Sequence, residues 1–582
     1  MKRLWPFAAI VLAAGALWAP TLALDVGRGD SLDLNLIWSN QFSALVRHGQ
    51  LYPRWMPASF EGLGSPTFYF YPPLAFWGVS VVAALGGEGL STLLQLKLAA
   101  LDFLAMSGLT MFLWLKTQTT AARALICAVI FMAAPYHMDD HYIRGAFAEF
   151  LAIGVIPLVA LGLVKTARRE RFGPMVLAAS YGALILAHLP TALLTSVLLI
   201  APYAALLAWR TPGARVAFLA RSAAALVLGV GLAAIYLVPA LLLQRFISAE
   251  YLWSPKFNLT GQLFANPHAW TMPFVALLAL ASALETAMAV LAGMGAWRAG
   301  DRATAFWAGL AALIFLVMTG LVPGFWAAPL MAKVQFPWRA MAVQEFALVT
   351  LLALSPTLSA RRLGVLLAAL ALANPGLAAA ARNLLRGEPA GGLAPPAYAA
   401  ALMADPLDAP EYLPQGMLAI HGGDPSPKIA FATLKALPLA AGEGVSAAAD
   451  PKTGSVALTF APARSGPVVV RRFYFPGWRA HCGASGSDVA PSGPSRLASF
   501  TPPSGARACV LRIDATTEER VGGWLSLASL ALVLAWTLAA ASTALRSRQR
   551  PLAGQRPPGS PIDGAPPAGA LGLGSSVGRA AD

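Results

Sequence analysis

Charge is scarce in this sequence. Asp, Glu, Lys and Arg make up 12% of its 582 residues, while 57% are hydrophobic. Soluble domains carry about 25% charged residues, so an ordinary globular protein is excluded and a chain solvated by lipid is indicated. Cysteine is scarcer, with three residues and no CxxC or CxxCH spacing, so neither a thiolate zinc site nor attached haem is encoded. The seven histidines stand dispersed at 48, 137, 141, 188, 268, 421 and 481. No internal repeat is visible. The formal net charge is +15, yet Lys and Arg fall mainly in short loops between apolar runs. That is the positive-inside pattern of a membrane protein, and nucleic acid is excluded as a partner.

What is present is a succession of apolar runs of roughly 17–25 residues, each long enough to cross the hydrocarbon core. Twelve spans are expected, near 6–24, 90–115, 121–136, 148–164, 174–189, 191–209, 217–243, 272–296, 304–322, 340–357, 362–380 and 522–545. The first could also be read as a signal peptide from its basic start and its "TLA"; the many spans that follow favour an uncleaved helix. The run "LAFWGVSVVAALGG" (74–87) is short and flanked by Pro72-Pro73 and Gly86-Gly87, so a re-entrant segment is expected there. With that reading the basic loops "KTQTTAAR" (116–123), "KTARRERFG" (165–173), "RTPGAR" (210–215), "WRAGDR" (297–302) and "SARR" (359–362) all lie inside. A thirteenth span at 74–87 is the alternative.

Between 383 and 520 the pattern changes to alternating, β-branched stretches such as "SVALTF", "PVVVRRFYF" and "ACVLRID". The expectation is a polytopic α-helical membrane protein of about 12–13 spans with a small β-rich extracytoplasmic domain before the last helix. Its division is 1–382 for the membrane domain, with outer loops 25–89 and 137–147, then 383–520 for the β-rich domain. A final span at 521–545 and a Pro/Gly-rich disordered inner tail at 546–582 complete it. Cys482 and Cys509 can pair if their domain lies outside the cytoplasm.

This topology gathers polar residues on the outer face. The first loop brings Asp30, Asp33, Arg54 and Glu61; "PYHMDDHYIRGAFAE" brings His137, Asp139, Asp140, His141, Arg144 and Glu149. His188 lies at "AHLPTA", Arg245, Glu250 and Lys256 in a later loop, and Lys333 and Arg339 in "MAKVQFPWRA". Carboxylates beside cations suit sugar transfer from a lipid-linked phosphate. One carboxylate takes the acceptor proton, and cations stabilise the leaving phosphate, for which the guanidinium fork is suited. The catalytic candidates are therefore Asp33, Asp30, Asp139 and Asp140, and the substrate- or phosphate-binding candidates are Arg54, Arg144, Glu149, His188 and Arg339. Asp139 and Asp140 are also the candidate ligands should a divalent metal take part. Each has a plainer reading. The aspartates can cap helices or sit in solvated loops, Arg144 can pair with Glu149, His188 can be structural, and Arg54 and Arg339 can snorkel to the interface.

The stretches "GDSLDLNLIWSNQFSALVRHGQLYPRWMPASFEGLGSPTFYFYPPLAFW", "APYHMDDHYIRGAFAEF", "AHLPTA", "QFPWRA" and "FYFPGWRAHC" resemble bacterial membrane proteins labelled 6-pyruvoyl-tetrahydropterin synthase-related. That group is similar to YfhO-like proteins and, more distantly, to the GT-C superfamily of membrane glycosyltransferases. The pterin label implies a zinc enzyme with clustered histidines, which the dispersed histidines here do not support. The GT-C resemblance implies an essential acid in the first outer loop and often another in the second. Carried over by position, these are Asp33, with Asp30 as rival, and Asp139 or Asp140. The family pattern of His or Gln one turn after the first acid is not met, since Ile37 stands there.

The resemblance thus implies a glycosyltransferase of the bacterial inner membrane, active on the periplasmic face. Its donor would be a polyprenyl-phosphate-linked sugar and its acceptor a glycolipid or surface polymer. A non-catalytic scaffold of surface-polysaccharide assembly is one alternative, with its β-rich domain binding sugar or protein. A transporter or flippase is the other, for which Lys97 and Asp102 are the midspan candidates.

Overall fold

The computed structural model describes residues 4–24, 31–254, 257, 259–385, 395–404, 406, 408–421, 423–451, 453–461 and 466–549. Asp30 and nearly all of the expected tail lie outside the described residues.

The helix Phe147–Ala167 is apolar on every side and buried nearly throughout, so it forms the centre of the bundle rather than its surface. Two small residues let its neighbours close on it. A Cβ at Gly162 would fall 2.6 Å from the Leu177 Cα of Gly173–Ala187, and one at Gly154 would fall 3.0 Å from the Ser107 Cβ of Thr92–Lys116. Backbones that approach this closely pack by dispersion, the force available where lipid removes the hydrophobic drive. Thr110 donates to the Gly154 carbonyl at 2.7 Å and ties the second contact.

Among the described residues, nine helices are long and apolar enough to cross a membrane, and the bent pair Ala121–Met132 and Pro135–Arg144 makes a tenth. The protein is a multi-pass membrane protein. The expected spans 174–189 and 340–357 correspond to Gly173–Ala187 and Met341–Leu354, helices of only 15 and 14 residues whose ends nevertheless lie on opposite faces, at Arg168 and His188 for the first and at Arg339 and Leu354 for the second. At about 1.5 Å per residue they cover about 22 Å of the ~30 Å core, and the residues that flank them complete the crossing. Segment 217–243 also divides, into Arg215–Leu232 and Ala234–Leu242. The run at 74–87 forms a helix of 13 residues, Leu74–Gly86.

The loops sort onto two faces. Arg123 donates to the carbonyls of Leu352, Ala353, Ser355 and Leu358 at 2.5–3.1 Å, where cationic donors satisfy the free end of Met341–Leu354. Arg168 donates to Thr117 at 3.2 Å, Gly295 abuts Thr357, and Arg210 lies in the field of Asp301. The five basic loops therefore converge on one face. On the opposite face Thr21 bonds His141 at 2.8 Å, Arg54 pairs with Glu519 at 2.9 Å and Glu149 pairs with Arg339 at 3.2 Å.

The β-rich region holds two antiparallel sheets. One orders Ala440–Ala441, Val468–Phe473, Leu497–Phe500 and Ala490–Ser492; the other orders Val445–Ala449, Val456–Phe460, Ala508–Ile513, Trp478–Cys482 and Ser485–Asp488. Alternate residues of Val456–Phe460 and Val468–Val470 are buried, as one-faced sheets require. Cys482 and Cys509 are joined by a disulfide. The region docks on the first loop. Phe473 N–H donates to Leu63 O at 2.8 Å, Arg472 to Gly62 O at 2.5 Å, and Trp478 and Phe475 pack on Trp55 and Tyr69. A left-handed run at Phe60, Glu61, Gly62 and Gly64 shapes that platform.

A single cysteine in place of Ala299 on the basic face and one in place of Glu250 on the other are expected to react with an impermeant maleimide from opposite sides of sealed vesicles. Labelling of both from one side would contradict this arrangement.

Candidate active site opposite the basic face

The site begins with a broken helix. Ala134 precedes Pro135 and takes an extended conformation, as a residue before proline must, so Ala121–Met132 ends and Pro135–Arg144 restarts at an angle of 43°. Its last turn, Asp140–Arg144, widens to a π-helical geometry, with Gly145 N–H reaching Asp140 O, and stops at Gly145 with φ 60°. Such turns re-aim side chains and recur at functional sites. Here the widened turn carries Asp140 and Arg144 inward.

Glu149, 1% exposed, is the hub. Its carboxylate accepts from Tyr136 Oη at 2.6 Å, Arg144 Nη1 at 2.9 Å and Arg339 Nε at 3.2 Å. Arg144 also pairs with Asp140 and lies 4.5 Å above the Trp338 ring. Arg339 is set in place by a strained turn. Gln335 has φ 68° and ψ −53°, and Phe336 N–H reaches back to Val334 O at 2.8 Å, forming a γ-turn of the rare positive-φ kind. The same Val334 carbonyl accepts from Arg339 Nη1 at 3.0 Å. Two guanidinium groups thus face Asp140 and Glu149, and the four charges balance.

Asp139 is what remains. It is 2% exposed, and neither carboxylate oxygen has a hydrogen-bond donor among the described residues. A buried carboxyl without donors is costly, so the position is not explained by stability. With Asp140 it gains no third His, Cys, Asp or Glu in a metal-binding arrangement among the described residues.

Asp33 lies half-buried in the first turn of Leu32–Arg47. The backbone draws that turn to the end of the broken helix: Ser31 N–H donates to Arg144 O at 3.3 Å, and Asn35 Nδ2 to Gly145 O at 2.7 Å. The two acid-bearing loops therefore meet. Tyr71 lies in the field of Arg339, Glu149 and Arg144, and burial pushes its phenol up to about 12, so it keeps its O–H at neutral pH. His188 also lies in the field of Glu149, and its Nδ1 bonds Thr191 Oγ1 at 2.8 Å.

Arg54 is placed elsewhere. It pairs with Glu519, donates to Ile235 O at 2.7 Å and lies 3.8 Å above the Tyr52 ring, so it fastens the last helix and bonds no member of the cluster. Lys97 reaches the Thr21 carbonyl at 3.4 Å, while Asp102 is exposed on the same helix. Sequence reasoning passed over Tyr136 and Trp338, although both stand inside motifs it singled out. It also passed over Asp408, whose buried carboxylate accepts from Trp38 Nε1, Thr67 Oγ1 and Ala409 N at 2.7–2.8 Å. Burial raises the Asp408 pKa and these bonds oppose the rise.

Beside the cluster runs a groove of about 1060 Å³, walled by Leu189, Pro190, Leu193, Leu237 and Leu241. Val334, whose carbonyl holds Arg339, forms part of its wall, and Arg245, Glu250, Trp253 and Lys333 line it as well. Lys333 Nζ lies 3.8 Å over the Trp253 ring. Neither Arg245 nor Lys333 forms an ion pair among the described residues.

No family model matches the chain, and no curated protein sequence matches it. Among solved structures, the arabinofuranosyltransferase AftD from Mycobacteria matches with 18% identity and a TM-score of 0.39. The match covers 67% of this chain and 29% of that one, so the chain spans less than a third of that structure.

Glu149→Ala is expected to destabilise the protein by about 3–5 kcal/mol, because it strands two buried guanidinium groups. Asp139→Asn is expected to unfold at or above the wild-type temperature. Thermal unfolding in detergent checks both, and a large loss for Asp139→Asn would show that its carboxylate is structural.

Proposed function

We propose that the protein is a membrane glycosyltransferase that moves a sugar from a polyprenyl-phosphate-linked donor to a glycolipid or surface-polymer hydroxyl. The observation that carries this reading is the meeting of two carboxylate-bearing loops beside an apolar groove lined by two cations. The groove's leucine walls suit a prenyl tail, and Arg245 and Lys333 suit the phosphate at its head. Arg144 and Arg339 are already neutralised by Asp140 and Glu149. In this reading they hold Asp139 in place rather than receive the phosphate.

Asp33, half-buried where the two loops meet, takes the proton as the acceptor oxygen bonds to the sugar's reactive carbon. The bond from that carbon to the phosphate oxygen breaks, and the phosphate leaves with its electron pair toward Arg245 and Lys333. Asp139, short of donors in the resting protein, accepts hydrogen bonds from a substrate hydroxyl or takes a divalent cation. The positive-inside rule assigns the basic face to the cytoplasm. The site would then open on the periplasmic side of a bacterial inner membrane, where a lipid-borne donor presents its sugar at the bilayer edge. GT-C glycosyltransferases use this general plan, and the sequence resemblance points the same way.

Lipid mass spectrometry on a deletion strain carrying wild type, Asp33→Asn, Asp139→Asn or no copy tests the reading. The expected result is accumulation of one polyprenyl-phosphate sugar, or loss of one glycan decoration, in both variants as in the deletion, with normal protein levels. Wild-type lipids in both Asn strains beside a defect in the deletion would leave a scaffold or transporter.

A further inference from the structure

Two carboxyl side chains lie in the apolar interior away from the site. Glu285 sits midway along Pro273–Arg298 and Glu345 early in Met341–Leu354, 3% and 0% exposed. Both line one cavity of about 60 Å³, walled otherwise by apolar residues including Ile130, Met288, Leu348 and Leu352. Glu345 is committed as an acceptor, since it takes the free N–H groups of Tyr136 at 2.5 Å and His137 at 3.3 Å at the start of the broken helix. Glu285 faces the cavity with no donor to either oxygen among the described residues.

No compensating charge is at hand among the described residues. Tyr136 turns its hydroxyl to Glu149, and His137 turns Nδ1 to Phe131 O at 3.1 Å. Gln344, beside Glu345 in sequence, is occupied by Ser282 and Thr286 at 2.6–3.1 Å. The arginines of the helices packed here, Arg123, Arg298, Arg302, Arg361, Arg362 and Arg382, stand at or near helix ends rather than midway along them. Two adjacent carboxylates cannot both stay ionised in such surroundings without a cation, whereas one proton between them satisfies both.

We propose that Glu285 and Glu345 form a binding site for a single proton inside the membrane. Glu285 carries the proton and donates its O–H to the Glu345 carboxylate. Glu345 in turn anchors the Tyr136–His137 end of the segment that carries Asp139, Asp140 and Arg144. The pair is thus a positioning device for that segment, and the proton is its ligand.

Infrared spectroscopy of the purified full-length protein in lipid nanodiscs, in water and in deuterium oxide, tests this. The wild type is expected to show the C=O stretch of a protonated carboxylic acid at neutral pH, and Glu285→Gln is expected to lose that band. Glu285→Gln should fold and melt close to wild type, because its amide N–H₂ replaces the donor. Glu345→Gln should melt lower, because an acceptor of two N–H groups is weakened. An unchanged band in Glu285→Gln, or failure of that variant to fold, overturns the proposal. So does a wild-type melting temperature that rises when sodium or potassium replaces choline, if Glu285→Gln abolishes the rise, since a metal cation would then occupy the pair. None of these readouts uses transferase activity, so the proposal fails or stands separately from that reading.

Discussion

The Glu149 carboxylate is the interaction on which this face of the protein depends. It lies on the central buried helix and takes donors from two other segments, Tyr136 and Arg144 on the broken helix and Arg339 after the γ-turn. In the low dielectric of a bundle core such a group is tolerable only when fully paired, and then it fixes its partners firmly. The π-turn, the strained Gln335 and the stacking of Arg144 on Trp338 are all ways of delivering a donor to that one point.

Because the arginines are spent on Glu149 and Asp140, their charge is not available in full to an anionic ligand. Two cations that form no ion pair among the described residues, Arg245 and Lys333, lie one step away, at the groove that Val334 shares with Arg339. A division of labour follows. Buried, balanced charges set geometry, while in the proposed function the exposed cations against an apolar wall meet a lipid phosphate. Asp139 stands between the two roles, held by its segment yet hydrogen-bonded to nothing among the described residues.

Much of this was legible in the sequence. Charge in short loops separated the two faces, Pro72-Pro73 and Gly86-Gly87 bound the short helix Leu74–Gly86, and "SVALTF", "PVVVRRFYF" and "ACVLRID" form strands in the structure. The motifs around Asp139 and Arg339 do come together. What could not be read were pairings between distant positions. Arg54 meets Glu519 at the start of the last helix, and Trp38 meets Asp408 across 370 residues. Glu285 and Glu345 each stood alone in an apolar run, a signal in itself for an intramembrane residue, but their partnership exists only in the packed bundle.

The most direct test of the central claim is native mass spectrometry of the detergent-purified protein with undecaprenyl phosphate. Saturable binding is predicted for the wild type and for Asp33→Asn, with marked weakening in the Arg245→Gln, Lys333→Gln double variant. Equal binding by the double variant, or none by the wild type, would contradict the assignment of the groove to a lipid-linked phosphate.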